Sequence, residues 1–369
     1  MKKALLVTIM LITASTICPA AVSQKKSEPN RPSAKELLKK YTQTQDSIRS
    51  VISKVETTDE ATFTDPAGRP AYRKELNTID TKYDGFRLSR RWSEWGTNVD
   101  LSGHELKKEN AFYHSELWDG NNFYGYGRTS RNYKPNNYPG TLSIGYGDKP
   151  DDKVIKQYLI GPHTTGYIGT PYERIDSLLS KTKNIKNISV RKTPERINGS
   201  DCYVIDAQTS FGKYTLWIDP EHGYNIAQAE HHSSGGDFGV SEKQILRKGD
   251  SSSLYIKNVR FEKNNNIWVP MEWDLSTSAN IATDISPTGR MIGKSNKHYK
   301  ITEIKINPEK EAFGPFVPDD VLNGSMVMIS YGPKKNITKG IGWRDGKVID
   351  MSGKVIEDFT WKKQEKIQK

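Results

Sequence analysis

The sequence predicts a mainly β protein of the α+β class, a curved antiparallel sheet with a few short helices packed on it. Three observations carry this. Residues 199–230, GSDCYVIDAQTSFGKYTLWIDPEHGYNIAQAE, read as three successive strands cut by Ser-Phe-Gly and by Asp-Pro-Glu-His-Gly. In the middle strand Tyr214, Leu216 and Ile218 share one face, and Lys213, Thr215 and Trp217 share the other. That period of two, closed by turn residues, marks an antiparallel meander. Further on, Ile267, Val269, Met271, Trp273 and Leu275 alternate in the same way with Trp268, Pro270, Glu272 and Asp274. Finally, hydrophobic residues make up only 34% of the chain. Such a lean composition suits a thin sheet solvated on one side better than a doubly covered α/β core.

The elements follow in order. Lys2 and Lys3 precede an apolar run from Ala4 to Ile12, and small residues continue to Ala21-Val22-Ser23. This is the pattern of a secretory signal cut near Ser23, and the run is too short to span a bilayer. Loss of residues 1–23 removes Lys2 and Lys3 and no acid, so the formal charge falls from +11 to +9. Cys202 is then the one cysteine left, which excludes an intramolecular disulfide and leaves stability to the core. The lysines alternate with acids, as on a solvated basic surface, and form no block that would read as an anionic-polymer site.

Residues 24–32 are polar and flexible. A helix begins at Ser33, whose capping box with Glu36 precedes Leu37, Leu38 and Tyr41 on one face. A first strand covers about 48–63. Thr170, Pro171 and Glu173 open a second helix with the stripe Ile175, Leu178, Leu179. Further strands are read over 85–95, 111–118, 123–127, 189–197, 254–261, 267–275 and 299–306. Asp119-Gly120 and Asn264-Asn265-Asn266 make hairpin turns. Pro270 cannot donate to a ladder, so its strand has an unpaired side or a bulge there. The domains are thus a leader over 1–23, a flexible stretch over 24–32, a main domain over 33–321 and an extension over 322–369. The main domain carries a Tyr/Gly-rich insertion at about 128–169. The extension holds a hairpin, from the echo of GKVID at 346 and GKVIE at 353, and a frayed basic tail.

No motif of catalysis emerges. A phosphate loop, a nucleophile elbow and paired metal-binding cysteines are all missing from the sequence. His231 and His232 are adjacent, so on a strand they point to opposite faces and cannot share an ion; with Asp237 they read as a solvated turn. Asp119 and Asp219 are accounted for by turns and Glu173 by capping. The chain is therefore read as no enzyme, with no cofactor and no metal, and export argues against nucleic acid.

Several segments resemble the LolA-like superfamily of bacterial lipoprotein carriers and outer-membrane lipoprotein-sorting proteins. SAKELLKKYTQTQDSIRSVISKVE is similar to the family's opening helix and first strand, and LWDGNNFYGYG to its hairpin. GKYTLWIDPEHGYNIAQAE resembles its strand–turn–strand, while NNNIWVPMEW and KITEIKINPEKEAFGPFVPDDV resemble its closing strands and exit. The resemblance covers about 33–321. It implies an incomplete half-barrel whose concave apolar face, lidded by short helices, holds the acyl chain of a lipid or lipoprotein in the periplasm of a Gram-negative-type bacterium. The candidates for that face are Tyr214, Leu216, Ile218, Val269, Met271, Trp273 and Leu275, each of which has an equal claim to be plain core against the helices. The carriers are shorter and lack the insertion and the tail, and no carrier arginine aligns here. Relatives of the same fold also sense envelope stress by binding an anti-sigma factor, so an envelope protein is the alternative partner. No transmembrane segment is expected in the mature chain.

Overall fold

What these strand-forming residues build is seen in a computed structural model, which describes residues 31–64, 68–99, 112–129, 139–146, 166–169, 173–239, 245–282, 289–331 and 338–360. The leader read over 1–23, the residues Thr170 and Pro171, most of the insertion and the tail from 361 lie outside them. The chain divides into Met1–Arg31 and Pro32–Lys369, and every element described below belongs to the second unit.

Helix α1 (Ala34–Asp46) starts where its capping box places it. Ser33 Oγ accepts from the Glu36 amide at 3.2 Å, and Glu36 Oε2 accepts from the Ser33 amide at 2.7 Å. Helix α2 (Ile175–Leu178) is a correction to the sequence reading. It is a single turn that begins at an Arg174 cap with no side-chain capping bond. Glu173 is engaged sideways instead, accepting from Ser177 Oγ at 2.6 Å and pairing with Lys181.

The strands are β1 (Val51–Thr64), β2 (Pro70–Tyr83), β3 (Leu88–Val99), β4 (Phe112–Trp118), β5 (Asn122–Thr129), β6 (Thr141–Tyr146), β7 (Ile185–Val190), β8 (Glu195–Ile197) and β9 (Ser200–Thr209). Then come β10 (Gly212–Asp219), β11 (Asn225–Ser234), β12 (Ser251–Asn264), β13 (Ile267–Ala282), β14 (Arg290–Ile306), β15 (Met326–Tyr331), β16 (Thr338–Arg344), β17 (Lys347–Ile349) and β18 (Val355–Asp358). They pair antiparallel in the order β9 through β14, then β1 through β6. β15 joins β6 in parallel, and β16, β17 and β18 continue from it. β7 and β8 share the other edge of β9.

The sheet is curved and does not close into a barrel. Register shifts at Lys54/Val55, Trp217/Ile218 and between Lys257 and Phe261 insert extra residues, and such bulges bend and coil a strand. Pro270 lies opposite Phe261 in β12, while pairing of β13 with β14 begins only at Glu272. Its missing N–H therefore falls where the strand has one neighbour. Asn265 and Asn266 adopt φ of 48° and 64°, the left-handed pair a two-residue hairpin requires.

The sequence reading did not contain β2, β6, β15 and β16. β2 is flanked on both sides by partners, yet its residues facing inward include Arg73, Glu75 and Asn77, so no apolar period marks it. The expectation of one solvated face also needs correction, because both faces carry apolar clusters. Leu117, Tyr124, Tyr126, Leu142 and Ile144 pack with Phe313, Phe316 and the strands of the C-terminal meander on the outer face. Trp217 joins Cys202, Val204 and Ala227 in a smaller outer cluster. The main cluster lies on the inner face, toward α1 and α2.

Candidate ligand-binding face

The inner face is built by alternation. Along β10 every second residue from Tyr214 points inward, as does every second residue of β13 from Val269, and the register across β9, β11, β12 and β14 aligns them with apolar neighbours. Tyr214, Leu216, Ile218, Val269, Trp273 and Leu275 are all buried in one cluster, and Met271 packs against it half-buried. The seven residues proposed from the sequence thus share one face. That face is covered by the chain itself: Leu37, Leu38 and Tyr41 of α1, Ile168, and Ile175, Leu178 and Leu179 in and after α2 enter the same cluster.

A polar latch ties this cover down. Arg174 pairs with Asp176 on α2 at 2.7 Å and reaches Asp46 of α1 at 2.9 Å, while Thr42 of α1 donates to Asp176 at 2.6 Å. Burial pushes against the charge of Asp176, but the bonds from Arg174 and Thr42 outweigh it and hold the carboxyl below its usual range. At the end of α1, Gln45 donates to Asn225 at 2.7 Å and Thr44 to the Gly223 carbonyl at 2.5 Å, which fixes the helix to the β10–β11 turn.

His231, placed by the sequence reading in a solvated turn, is a buried residue in the middle of β11, and His232 beside it is exposed. Its Nε2 lies 2.8 Å from the Phe211 carbonyl, and its ring stacks on Tyr214 at 4.4 Å. Burial holds the imidazole below its ordinary pKa. Gly169 closes over this stack with φ 73°, where a Cβ would come within 2.6 Å of the His231 ring.

Polar atoms set this face apart from an ordinary core. Tyr41 Oη, Tyr214 Oη, Trp118 Nε1 and Trp273 Nε1 are buried within the cluster and meet no hydrogen-bond partner among the described residues. Burial raises the pKa of Tyr41 and Tyr214, keeping both phenols neutral.

Across β14, β1 and β2 the same face turns polar. Asp59 is 1% exposed and pairs with Lys297 at 3.1 Å and Arg73 at 3.4 Å, and Ser295 donates to it at 2.5 Å. Glu75 pairs with Arg73 at 2.9 Å, and burial raises its pKa. Beyond them Trp92 lies tilted against His114, with ring centroids 4.1 Å apart, and Arg90 sits over its ring at 4.9 Å. The sequence reading missed this half. Its signal was the alternation Val51, Ser53, Val55, Thr57, Asp59 and Ala61, which places Asp59 inward despite its charge.

Fold and face together define a class: an unclosed antiparallel sheet with its apolar side roofed by two short helices. No protein-family model matches the chain, and no curated protein matches it. Among solved structures it is similar to a DUF1329 family protein from Desulfovibrio piger, at 9% identity over 78% of this chain and 98% of that one, with a TM-score of 0.32. An outer membrane lipoprotein-sorting protein domain from Vibrio parahaemolyticus aligns at 10% identity over 76% and 95%, TM-score 0.28. A LolA superfamily protein from Nitrosomonas europaea aligns at 12% identity over 79% and 100%, TM-score 0.27. At these scores a likeness transfers no function.

Proposed function

We propose that the chain is an exported, non-enzymatic binding protein that holds an acyl chain against its inner apolar face, beneath α1 and α2. The observation that carries this reading is the cover. The face runs over β9–β14, yet the helical part of its roof is one helix of 13 residues and one of four, joined by the Arg174–Asp176–Asp46 latch. A roof that small is separable from the sheet, and local opening of such a unit admits a ligand while the strands stay folded. A guest chain offers the exposed face the burial that the helices withdraw, at about 0.8 kcal/mol per CH₂. Tyr214, Leu216, Ile218, Val269, Met271, Trp273 and Leu275 are the proposed contacts, and the charged half around Asp59 is the boundary of the apolar path.

The experiment is mass spectrometry of the small molecules that enter organic solvent when the purified chain is extracted. The expected result is an acyl-bearing lipid in an amount comparable to the protein. Protein that leaves expression cells free of lipid, from hosts rich in it, speaks against the reading.

A further inference from the structure

Four of the buried polar atoms without a partner among the described residues belong to aromatic side chains of the inner cluster, and a tryptophan of the outer cluster supplies the comparison. Trp217 is buried in the outer cluster, and its indole Nε1 donates to Glu195 at 2.8 Å. Trp273 is buried more completely, at 0% exposure, and its Nε1 has no acceptor among the described residues. Its ring is stacked on Tyr299 at 4.7 Å with an interplanar angle of 9°, so the N–H is held in a fixed direction and cannot turn toward a distant partner. An indole nitrogen only donates. A buried donor left unmade costs about 1–3 kcal/mol, and the inner cluster contains Trp118 Nε1, Tyr41 Oη and Tyr214 Oη in the same condition.

We propose that the guest of the inner face carries a neutral carbonyl, an ester or amide linkage next to its acyl chain, and that Trp273 Nε1–H donates to that oxygen. This rests on the acyl-binding reading and narrows it. A plain hydrocarbon leaves the donor unmade. A free carboxylate would accept the bond but would bring an unpaired charge into an apolar cluster, which is far more costly than burying a neutral carbonyl. The chemistry that remains is an O-acyl ester, as in a glycerolipid, or an N-acyl amide, as in an acylated polypeptide. Tyr214 lies three strands away from Trp273, across β11 and β12, so its hydroxyl serves a different part of the guest.

The test is displacement of diphenylhexatriene from the purified protein by three chains of equal length: the alkane, the methyl ester and the N-methyl amide. The ratio of ester or amide affinity to alkane affinity is compared within each protein, for wild type and for Trp273→Phe, which keeps an aromatic ring on Tyr299. The expected ratio is about tenfold in wild type, which corresponds to about 1.4 kcal/mol, and falls to about twofold in the variant. Whichever of ester and amide shows the larger ratio identifies the source. As a second readout, the Trp273 indole N–H resonance is expected to move on adding the ester and to stay in place on adding the alkane. Equal affinities for the three chains in wild type, or a ratio that survives Trp273→Phe, overturns the inference while acyl binding stands. Failure of diphenylhexatriene and all three chains to bind overturns the acyl-binding reading, and this inference with it.

Discussion

Replacing Trp273 by alanine is expected to destabilise the protein by about 3–5 kcal/mol, the range for emptying a buried aromatic position. The residue is fully buried in the main cluster and stacked on Tyr299, so its removal leaves a cavity that rigid strands on either side cannot close. Trp273→Phe is expected to cost less than half as much. Phenylalanine preserves the stacked ring and deletes a donor that has no partner among the described residues, which offsets part of the lost contact area. Urea denaturation with unchanged m-values checks both. Equal losses for the two variants would show that Nε1 is satisfied in a way the structure does not contain.

Arg174→Ala is expected to loosen the roof by roughly 2–3 kcal/mol, below the roughly 3–5 kcal/mol that breaking a fully buried charge pair costs, because the arginine side chain retains 19% exposure. The change leaves Asp176 at 7% exposure with Thr42 as its remaining side-chain donor. The pH dependence follows from the direction of the shift. The Asp176 pKa is depressed in the folded chain, so its contribution is present above the ordinary aspartate value of about 4 and is lost as pH falls below that toward the depressed value. Wild type is therefore expected to shed this part of its stability below about pH 4, and Arg174→Ala to shed less of it, having less to lose. Hydrogen exchange locates the effect: amides of α1 and α2 should exchange faster in the variant while those of β10 and β13 hold their protection. Slowed or unchanged exchange in both helices would remove the latch from the account.

The inner face was legible in the sequence because β10 and β13 alternate without interruption and their turns are chemically marked by Asp219-Pro220 and Asn265-Asn266. α1 was legible for the same reason, its capping box being a local signal with a local cause. What escaped was set by distant partners. β2 is a strand because β1 and β3 pair with it on both sides, and its inward residues run from the ion pair of Arg73 and Glu75 through Asn77 to Ile79, Thr81 and Tyr83, so no sustained period of two in hydrophobicity exists to be read. β6 and β15 pair in parallel across nearly two hundred residues, a contact no local pattern announces. α2 was placed too early because Glu173 carries the signature of a capping acid, yet its side chain bonds along the turn to Ser177 and Lys181. His231 looked like part of a polar turn since two histidines and two serines follow one another; alternation inside β11 buries one histidine and exposes the next. The seven candidate residues were found together, whereas the orphaned donors among them depend on where each side chain ends in space, and that is beyond any reading of spacing.

Titration of the purified chain, without residues 1–23, with a fluorescent long-chain acyl ester puts the question to the inner face directly. Saturable binding near one ester per chain, with blue-shifted emission and faster amide exchange confined to α1 and α2, is the result that a guest beneath the roof requires. A flat titration, or binding that leaves those two helices untouched, would mean that the apolar side of the sheet is core and nothing more.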